Sequence, residues 1–412
     1  MLTKTGREDR IVEMLKLCVV FAVIIVIIWL KKPLYMAMLG GIAASALCYA
    51  IPVLELVKLI WGALTSWETI SVVLCFYLIT FLQRMLEKRG RLKQAQEALD
   101  GIFNNRKVNA SLAPAVIGLL PSPAALTISG AMVKDACNGY LDKEDMTFVT
   151  SFFRHIPESF LPTYTTILLA LALSGLKAGT FVLAMLPMVL VLFGLGYFIM
   201  LRKVPKDTGK AEDMKKGASV KQFGRSLWSI ALIVFLILAF NLPVYIATPI
   251  GILLNYFVDK FHFSEIRPMF LSSLEWVMVG NTILIMAFKD ILVYTGVIHM
   301  LPEVFSALPI PAYVAFALIF FFGTIVSGSQ AIVAMCMPMA IAAVPGGGLP
   351  LVVLLMSCSY AAMQLSPTHI CLFIATDYFH TNMGDLIKRT VPIVALFCVF
   401  MSAYVGLLTL IL

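Results

Sequence analysis

Charged residues are scarce in this chain. They make up 13% of its 412 residues, against 60% hydrophobic residues, whereas soluble domains carry roughly a quarter charged and about half apolar residues. This shortage excludes a soluble fold. Apolar runs of about 17 to 25 residues recur from end to end, and each is long enough to cross the hydrocarbon core as a helix. We therefore predict an all-α integral membrane protein of the cell inner membrane.

Motifs for metal ions, phosphates and nucleic acids are also missing. The eight cysteines lie in or beside apolar runs without a CxxC pair or a Cys/His zinc spacing, so we expect small buried apolar residues. The glycine-rich segment 345–348 lacks the Gly-Lys-Ser/Thr ending of a phosphate loop. The net charge of +8 comes from basic residues in short connectors between apolar runs. We predict no cofactor and no nucleic-acid partner.

The apolar runs predict about ten transmembrane helices. Their expected ranges are 14–30, 34–51, 67–88, 147–175, 179–201, 226–241, 243–259, 268–289, 350–380 and 388–411. Two further apolar stretches, 108–134 and 311–344, are interrupted by Pro-Ser-Pro at 121–123 and by Ser-Gly-Ser-Gln at 327–330. Each stretch is too long for one comfortable crossing, and proline and glycine favour a turn at its middle. We predict two re-entrant hairpins.

One long polar segment, 202–225, divides the chain near its midpoint and is predicted to be a cytoplasmic linker. Sliding the chain on itself by about 206 positions aligns landmarks of the two halves. The aligned pairs are Ser66 with Ser273, Gly90 with Gly296, Ser122 with Ser329, and Thr163 with Thr368. With an odd number of crossings in each half, the second copy enters the membrane upside down. We predict an inverted repeat of 1–201 and 226–412.

The distribution of basic residues predicts the orientation. The connector 84–107 and the linker 202–225 are rich in lysine and arginine, whereas the connectors predicted on the other side hold few. We expect both basic segments in the cytoplasm and both chain termini outside.

Polar residues interrupt the apolar helices at matched positions in the two halves, at 154–163 and at 364–369. A proline in each interruption frees a backbone carbonyl and opens the helix, so that helix ends can face an ion or an anion. The alternative is that these prolines only kink packed helices. The candidate binding residues come from these two interruptions and from the two predicted hairpins. They are Ser122, Thr127, Arg154, His155, Glu158, Thr163, Ser327, Ser329, Gln330, Gln364, Ser366, Thr368 and His369.

Three ionisable residues lie inside one apolar span, where charge is costly and is retained chiefly for function. Arg154 and Glu158 are four residues apart on one helical face, so they form either a mutually neutralising ion pair or a functional pair. In the functional reading Arg154 attracts an anion, and Glu158 or His155 takes up a proton. His369 either joins this site or only bonds a neighbouring backbone group. His155 and Glu158 lack the third ligand of a hydrolytic metal centre.

Three segments carry a resemblance to a known family: LLPSPAALTISGAMV, TIVSGSQAIVAMCMP and QLSPTH. Over nearly its full length the chain resembles the prokaryotic membrane family of domain of unknown function 401. That family is grouped with the ion transporter superfamily of divalent-anion/sodium symporters, gluconate permeases and citrate carriers. The resemblance implies a scaffold domain that forms a homodimer and a transport domain that moves as an elevator.

The resemblance also implies positions for bound ions. Ser122 and Ser329 would occupy the hairpin tips, and Thr163 and Thr368 the opposing helix breaks, where the superfamily binds sodium and substrate. The dicarboxylate branch has Ser-Asn-Thr at each tip, whereas this chain has Ser-Pro-Ala from Ser122 and Ser-Gln-Ala from Ser329. Neither dicarboxylate specificity nor sodium coupling therefore follows from the resemblance.

Three functions remain open from the sequence. The first is a secondary transporter that moves a small organic anion across the lipid bilayer with Na⁺ or H⁺ as the coupling ion. The second is a cation antiporter without an organic substrate. The third, an intramembrane enzyme, is the least supported, and we expect no catalytic residue. Arg154 favours the first, because a fixed positive charge beside the pathway repels cations.

Overall fold

A computed structural model describes residues 4–119, 124–207, 216–306, 309–367 and 369–411. These residues form twenty α-helices and no strand beyond an isolated bridge. The first ten are α1 (Lys4–Trp29), α2 (Leu34–Cys48), α3 (Val53–Thr65), α4 (Trp67–Lys88), α5 (Arg91–Phe103), α6 (Arg106–Ile117), α7 (Ala124–Cys137), α8 (Lys143–His155), α9 (Thr165–Ser174) and α10 (Ala178–Leu195). The others are α11 (Lys216–Phe240), α12 (Val244–Val258), α13 (Phe263–Ser272), α14 (Trp276–Tyr294), α15 (Val297–Ser306), α16 (Ala312–Ser327), α17 (Ser329–Ala343), α18 (Gly348–Met363), α19 (Ile370–Phe379) and α20 (Met383–Ile411).

Six helical stretches of the described residues are long and apolar enough to cross a membrane. They lie in α1, α4, the α10 region, α11, α14 and α20. Seven shorter apolar helices accompany them. The outer surface is apolar as well: Leu47 is 82% exposed, Leu190 73% and Phe322 61%. Soluble proteins rarely expose such extended apolar surface, so these helices are those of a multi-pass membrane protein.

The helices form two series, α1–α10 and α11–α20, whose members begin at matching positions along the chain. Helix α11 begins 212 positions after α1 (216 against 4), and α20 begins 205 positions after α10 (383 against 178). For each of the eight pairs from α2 and α12 to α9 and α19, the two starting residues are also between 205 and 212 positions apart. Matching residues with positive φ end matching helices: Lys31 and Asn241 after α1 and α11, Ala50 and Lys260 after α2 and α12. Such residues are uncommon outside turns, so their recurrence is informative.

Helices α4 and α14 pack side by side in opposite directions. Glu68, at the start of α4, accepts two hydrogen bonds of 2.6 and 2.7 Å from Nζ of Lys289, near the end of α14. At the other end, Nη2 of Arg84 in α4 lies 3.9 Å from the carboxylate of Glu275, which immediately precedes α14. The start of each helix therefore lies beside the end of the other.

Two helices at matched positions lie at the centre of the molecule. Every residue of α8 from Met146 to His155 is buried, and so is every residue of α18 from Leu351 to Met363. Both helices end where the sequence predicted a break. After α8 comes a short 3-10 helix, Ile156–Ser159, before α9 begins, and α18 is separated from α19 by residues 364–369. The predicted interruptions thus divide the expected helices 147–175 and 350–380 in two.

The predicted hairpin segments are pairs of packed helices. Helix α16 runs directly into α17 through Gly328, whose φ of 81° is a conformation that glycine adopts without strain. Helices α6 and α7 also pack on each other. The tip between them, including Ser122, lies outside the described residues.

Several boundaries differ from the sequence-based prediction. Short helices α3 and α13 occupy segments that were predicted partly as connectors, and the expected helix 268–289 is instead split between α13 and α14. Helix α11 begins at Lys216, so helical structure covers the last part of the predicted linker 202–225. Hydropathy misses these features because α3 and α13 carry charged residues and are short, and because a helix extends beyond its apolar part into water.

Candidate functional site

The second hairpin is the pair α16–α17. The first break is the segment 156–164 between α8 and α9, and the second break is the segment 364–369 between α18 and α19. A cavity of about 380 Å³ lies where the second hairpin meets both breaks. Its wall combines hydroxyl, amide, carboxylate and imidazole groups with few apolar side chains. The lining residues are Leu34, Glu158, Tyr164, Thr165, Thr166, Thr324, Ser327, Gly328, Ser329, Gln330, Ala331, Met363, Ser366 and His369. The volume lies within the range of small-molecule binding pockets.

Three helices begin at this cavity. Thr165 and Thr166 are in the first turn of α9, Ser329 and Gln330 open α17, and His369 immediately precedes α19. The first amides of a helix have no partner inside it and carry a partial positive charge. No side chain of the described residues caps any of these three starts. The cavity wall therefore includes three helix starts, where backbone N–H groups lack partners within the helix and the partial positive charge favours an anion.

Hydroxyl groups hold the second hairpin against the two breaks. Oγ1 of Thr166 lies 3.5 Å from Oγ of Ser329, so the start of α9 faces the tip of the second hairpin. The hydroxyl of Ser366 donates a 2.8 Å hydrogen bond to the carbonyl oxygen of Ile325, near the end of α16. Both breaks are thus joined to one hairpin.

The first break is fastened to the first helix pair in a similar way. The hydroxyl of Tyr164 donates a hydrogen bond to the carbonyl oxygen of Gly118, which follows α6. At the same glycine the backbone passes so close to the end of α8 that a Cβ atom would lie 2.0 Å from the carbonyl oxygen of Arg154. Only glycine allows this approach without displacing the backbone.

Arg154 and Glu158 are neighbours in the structure, as the ion-pair interpretation requires. Nη1 of Arg154 is 3.8 Å from Oε2 of Glu158, and the Arg154 side chain is 3% exposed. Glu158 is 16% exposed and lines the cavity, whereas Arg154 lies behind it. Glu158 therefore stands between the guanidinium group and the cavity.

The two predicted site histidines meet across the breaks. Nε2 of His155 lies 3.1 Å from Nε2 of His369, although 214 positions separate them. Nδ1 of His155 is 2.6 Å from the carbonyl oxygen of Ser151 one turn earlier. A carbonyl oxygen only accepts, so Nδ1 donates, and Nε2 of neutral His155 has a lone pair directed towards His369.

The candidate residues from the sequence divide into four groups. Those that line the cavity are Glu158, Ser327, Ser329, Gln330, Ser366 and His369. Arg154 and His155 contact this set from behind. Thr127, Thr163 and Gln364 do not line the cavity, and Oγ1 of Thr163 and Nε2 of Gln364 are buried without a hydrogen-bond partner among the described residues. Ser122 and Thr368 lie outside the described residues.

Sequence reasoning missed Tyr164, Thr165 and Thr166, which form one side of the cavity. It favoured Thr163 because that residue aligns with Thr368. The signal that was available is the hydroxyl-rich run 163–166 directly before an apolar helix, because serine and threonine are typical of helix starts.

Comparison with known protein families gives a match over nearly the whole chain. The model of the family described as protein of unknown function (DUF401) matches residues 14–408. The chain belongs to this family. The DUF401 match includes both helix pairs, both breaks and the whole cavity wall, so the site is part of the family's own domain. Among curated proteins, no sequence matches the chain.

Proposed function

We propose that this DUF401 protein is a secondary active transporter of the inner membrane that moves a small organic anion with a coupling cation. The observation that carries the proposal is that three helices, α9, α17 and α19, start at one polar cavity, with no side-chain cap from the described residues. Backbone amides and hydroxyls bind an anion without a permanent buried charge, which suits a site that must also release its cargo. The cavity volume of about 380 Å³ suits a small solute.

An inverted repeat would explain why these starts meet. The helix order repeats, and α4 and α14 run antiparallel with ion pairs at both ends. Helix α9 of the first series packs on α17 of the second, and α19 of the second packs on α7 of the first. A two-fold axis in the membrane plane produces such exchanged contacts and brings matched breaks together near the midplane. This arrangement supports an alternating-access mechanism. We propose that the hairpins and breaks move as an elevator within a homodimer.

The predicted orientation gains support from contacts between two basic segments. Asn105 and Asp207 form an antiparallel bridge, and the backbone nitrogen of Arg106 donates a 3.0 Å hydrogen bond to the carbonyl oxygen of Lys206. Nε2 of Gln222 donates a 3.2 Å hydrogen bond to the carbonyl oxygen of Gln94. The connector 84–107 and the predicted linker 202–225 therefore lie on one side of the protein, which we assign to the cytoplasm.

A second candidate function is a Na⁺/H⁺-type antiporter without an organic substrate. It is favoured by one observation, that the carboxylate of Glu158 lines the cavity. The nearby guanidinium group and the three helix starts weigh against it, because their positive charge opposes a cation that enters without an anionic substrate.

Thermal-shift screening of the purified protein would identify the ligand class. The screen compares carboxylates, amino acids and inorganic anions in sodium and in potassium buffers. A ligand at 100 times its Kd stabilises the folded state by about 2.7 kcal/mol, which raises Tm measurably. We expect at least one organic anion to raise Tm.

Uptake into proteoliposomes then decides between the two functions. We expect accumulation of the stabilising anion when a Na⁺ or a proton gradient is imposed, and no accumulation without a gradient. Exchange of Na⁺ for H⁺ with no anion that binds would contradict the proposal and establish the antiporter.

A further inference from the structure

We propose that His155, His369 and Cys371 form a binding site for a transition-metal ion beside the cavity. A ring nitrogen of each histidine and Sγ of the cysteine lie within 4.8 Å of one another. The site joins two elements far apart in the chain, because His155 ends α8 while His369 and Cys371 open α19. None of the three was predicted as a metal ligand, since the sequence spacing has no zinc pattern.

The distances suit a tetrahedral ion after a small adjustment. Zn²⁺ binds nitrogen at about 2.0–2.1 Å and sulfur at about 2.3 Å, so two nitrogen ligands lie about 3.3–3.4 Å apart. The two Nε2 atoms are 3.1 Å apart. An ion between them needs only a slight separation of the rings and a closer approach of Cys371.

The hydrogen bond behind His155 is of the kind that supports a metal ligand. Nδ1 of this buried histidine donates to the carbonyl oxygen of Ser151 at 2.6 Å. Metal-binding histidines usually donate their second ring nitrogen to a carbonyl or carboxylate, which fixes the ring and leaves the other nitrogen free to coordinate. Nε2 of His155 is therefore already unprotonated and held in place to coordinate a metal ion. On binding, His369 would carry its proton on Nδ1, and Cys371 would lose its thiol proton.

Charge around the site is balanced by Glu158. Arg154 directly precedes His155 in α8, and its positive charge opposes a cation at this site. The carboxylate of Glu158, 3.8 Å from Arg154, offsets that charge. The same carboxylate is 4.0 Å from Nε2 of His155 and lines the cavity, so it or a water molecule supplies the fourth ligand. A position open to the cavity also gives the ion its path of entry.

The ligand set indicates the class of ion. Imidazole and thiolate groups favour zinc and other late first-row metals, whereas Na⁺ and Mg²⁺ prefer oxygen ligands. This site is therefore different in kind from the hydroxyl-lined cavity wall around Ser329. It does not depend on the proposed transport function.

Metal binding to the purified full-length protein tests the proposal, with any affinity tag removed. Zn²⁺ affinity is measured by competition with a chromophoric chelator, and Co²⁺ serves as the spectroscopic probe. We expect one ion per chain, release of about one proton for each ion bound, and a thiolate-to-cobalt charge-transfer band.

Cysteine variants identify the thiolate. Cys371→Ser should remove the charge-transfer band and weaken Zn²⁺ binding at least about tenfold, and His369→Asn should weaken binding similarly. The matched control is Cys398→Ser, because Cys398 is also half-buried and lies in α20. It should behave as the unmodified protein. A charge-transfer band that is missing from the unmodified protein, or that persists in Cys371→Ser, would overturn the proposal.

Discussion

Ser329, at the start of α17, faces Thr166, in the first turn of α9, with their hydroxyl oxygens 3.5 Å apart. Thr166 belongs to the series α1–α10 and Ser329 to the series α11–α20, and each lies at a helix start that no side chain of the described residues caps. The pair therefore marks the place where the second hairpin and the first break meet over the cavity. A ligand bound there would contact both elements, and a movement of either would change its surroundings.

Removing the Ser329 hydroxyl should weaken binding of the anion. A single hydrogen bond contributes about 0.5–1.5 kcal/mol, so Ser329→Ala should raise KM for uptake roughly two- to twelvefold with little change in Tm. The matched control is Ser402→Ala in α20, where the exposed hydroxyl bonds only its own helix. An unchanged KM in Ser329→Ala would mean that this hydroxyl only satisfies local groups.

Arg154 should prove more important for folding than for direct contact with the anion. Its guanidinium group is buried behind Glu158, at 3.8 Å from the carboxylate. Arg154→Gln leaves that carboxylate without its partner, and breaking a buried ion pair costs about 3–5 kcal/mol. We expect a lower yield of folded protein, measured by size-exclusion chromatography of the detergent extract.

The double variant separates the two interpretations of this pair. Arg154→Gln combined with Glu158→Gln removes both charges and should restore the yield of folded protein. The opposite pattern is a well-folded Arg154→Gln protein with a raised KM for the anion. It would establish Arg154 as a substrate-binding group instead.

The close approach at Gly118 predicts a steric effect on stability. Gly118→Ala places a Cβ atom 2.0 Å from the carbonyl oxygen of Arg154, so the backbone must shift to make room for it. Overpacking of this kind costs typically about 1–3 kcal/mol, and we expect a lower Tm in detergent. Gly62→Ala in α3 is the control, because nothing lies within 4 Å of its Cβ position. Equal effects of the two substitutions would show that the approach is looser than described.

Much of the architecture could be predicted because the membrane imposes simple rules on sequence. Apolar length predicted the helices, and proline with polar residues predicted where α8 and α18 end. Glycine predicted the turn at Gly328. These signals are local, because each one affects the structure of the same segment in which it occurs.

The contents of the site could be predicted only in part. Contact between His155 and His369 depends on how two breaks 214 positions apart pack together, and no local pattern encodes it. Cys371 was taken as a buried apolar residue, because a single cysteine in an apolar run carries no sign of its neighbours.

Cross-linking would test the antiparallel packing of α4 and α14, on which the inverted repeat depends. In a cysteine-free background, Glu68→Cys with Lys289→Cys should be joined by a short bifunctional maleimide, because the native side chains are 2.6 Å apart. Glu68→Cys with Glu275→Cys is the control pair. Glu275 comes 14 residues before Lys289, so in antiparallel helices it lies about 21 Å from Glu68, at 1.5 Å per residue. Efficient cross-linking of the control pair alone would indicate parallel helices.

The ion pair between Arg89 and Glu265 gives a pH-dependent contribution to stability outside the predicted membrane spans. Two hydrogen bonds of 2.9 and 3.0 Å from the Arg89 guanidinium group lower the pKa of Glu265 from 4.5 to about 2. A carboxyl group whose pKa is lower in the folded state stabilises that state above its unfolded pKa. The contribution is therefore complete well above pH 4.5, and it is lost as the pH falls from 4.5 towards 2.

Glu265→Gln should consequently lower Tm at neutral pH and have a progressively smaller effect as the solution is acidified below pH 4.5. Tm of the purified protein is measured against pH for the variant and for the unmodified chain. Glu97→Gln, at an exposed position on α5, is the matched control and should leave the curve unchanged. A Tm difference for Glu265→Gln that stays constant across this range would mean that the carboxylate charge does not contribute. The side chain would then act only through hydrogen bonds that glutamine also makes.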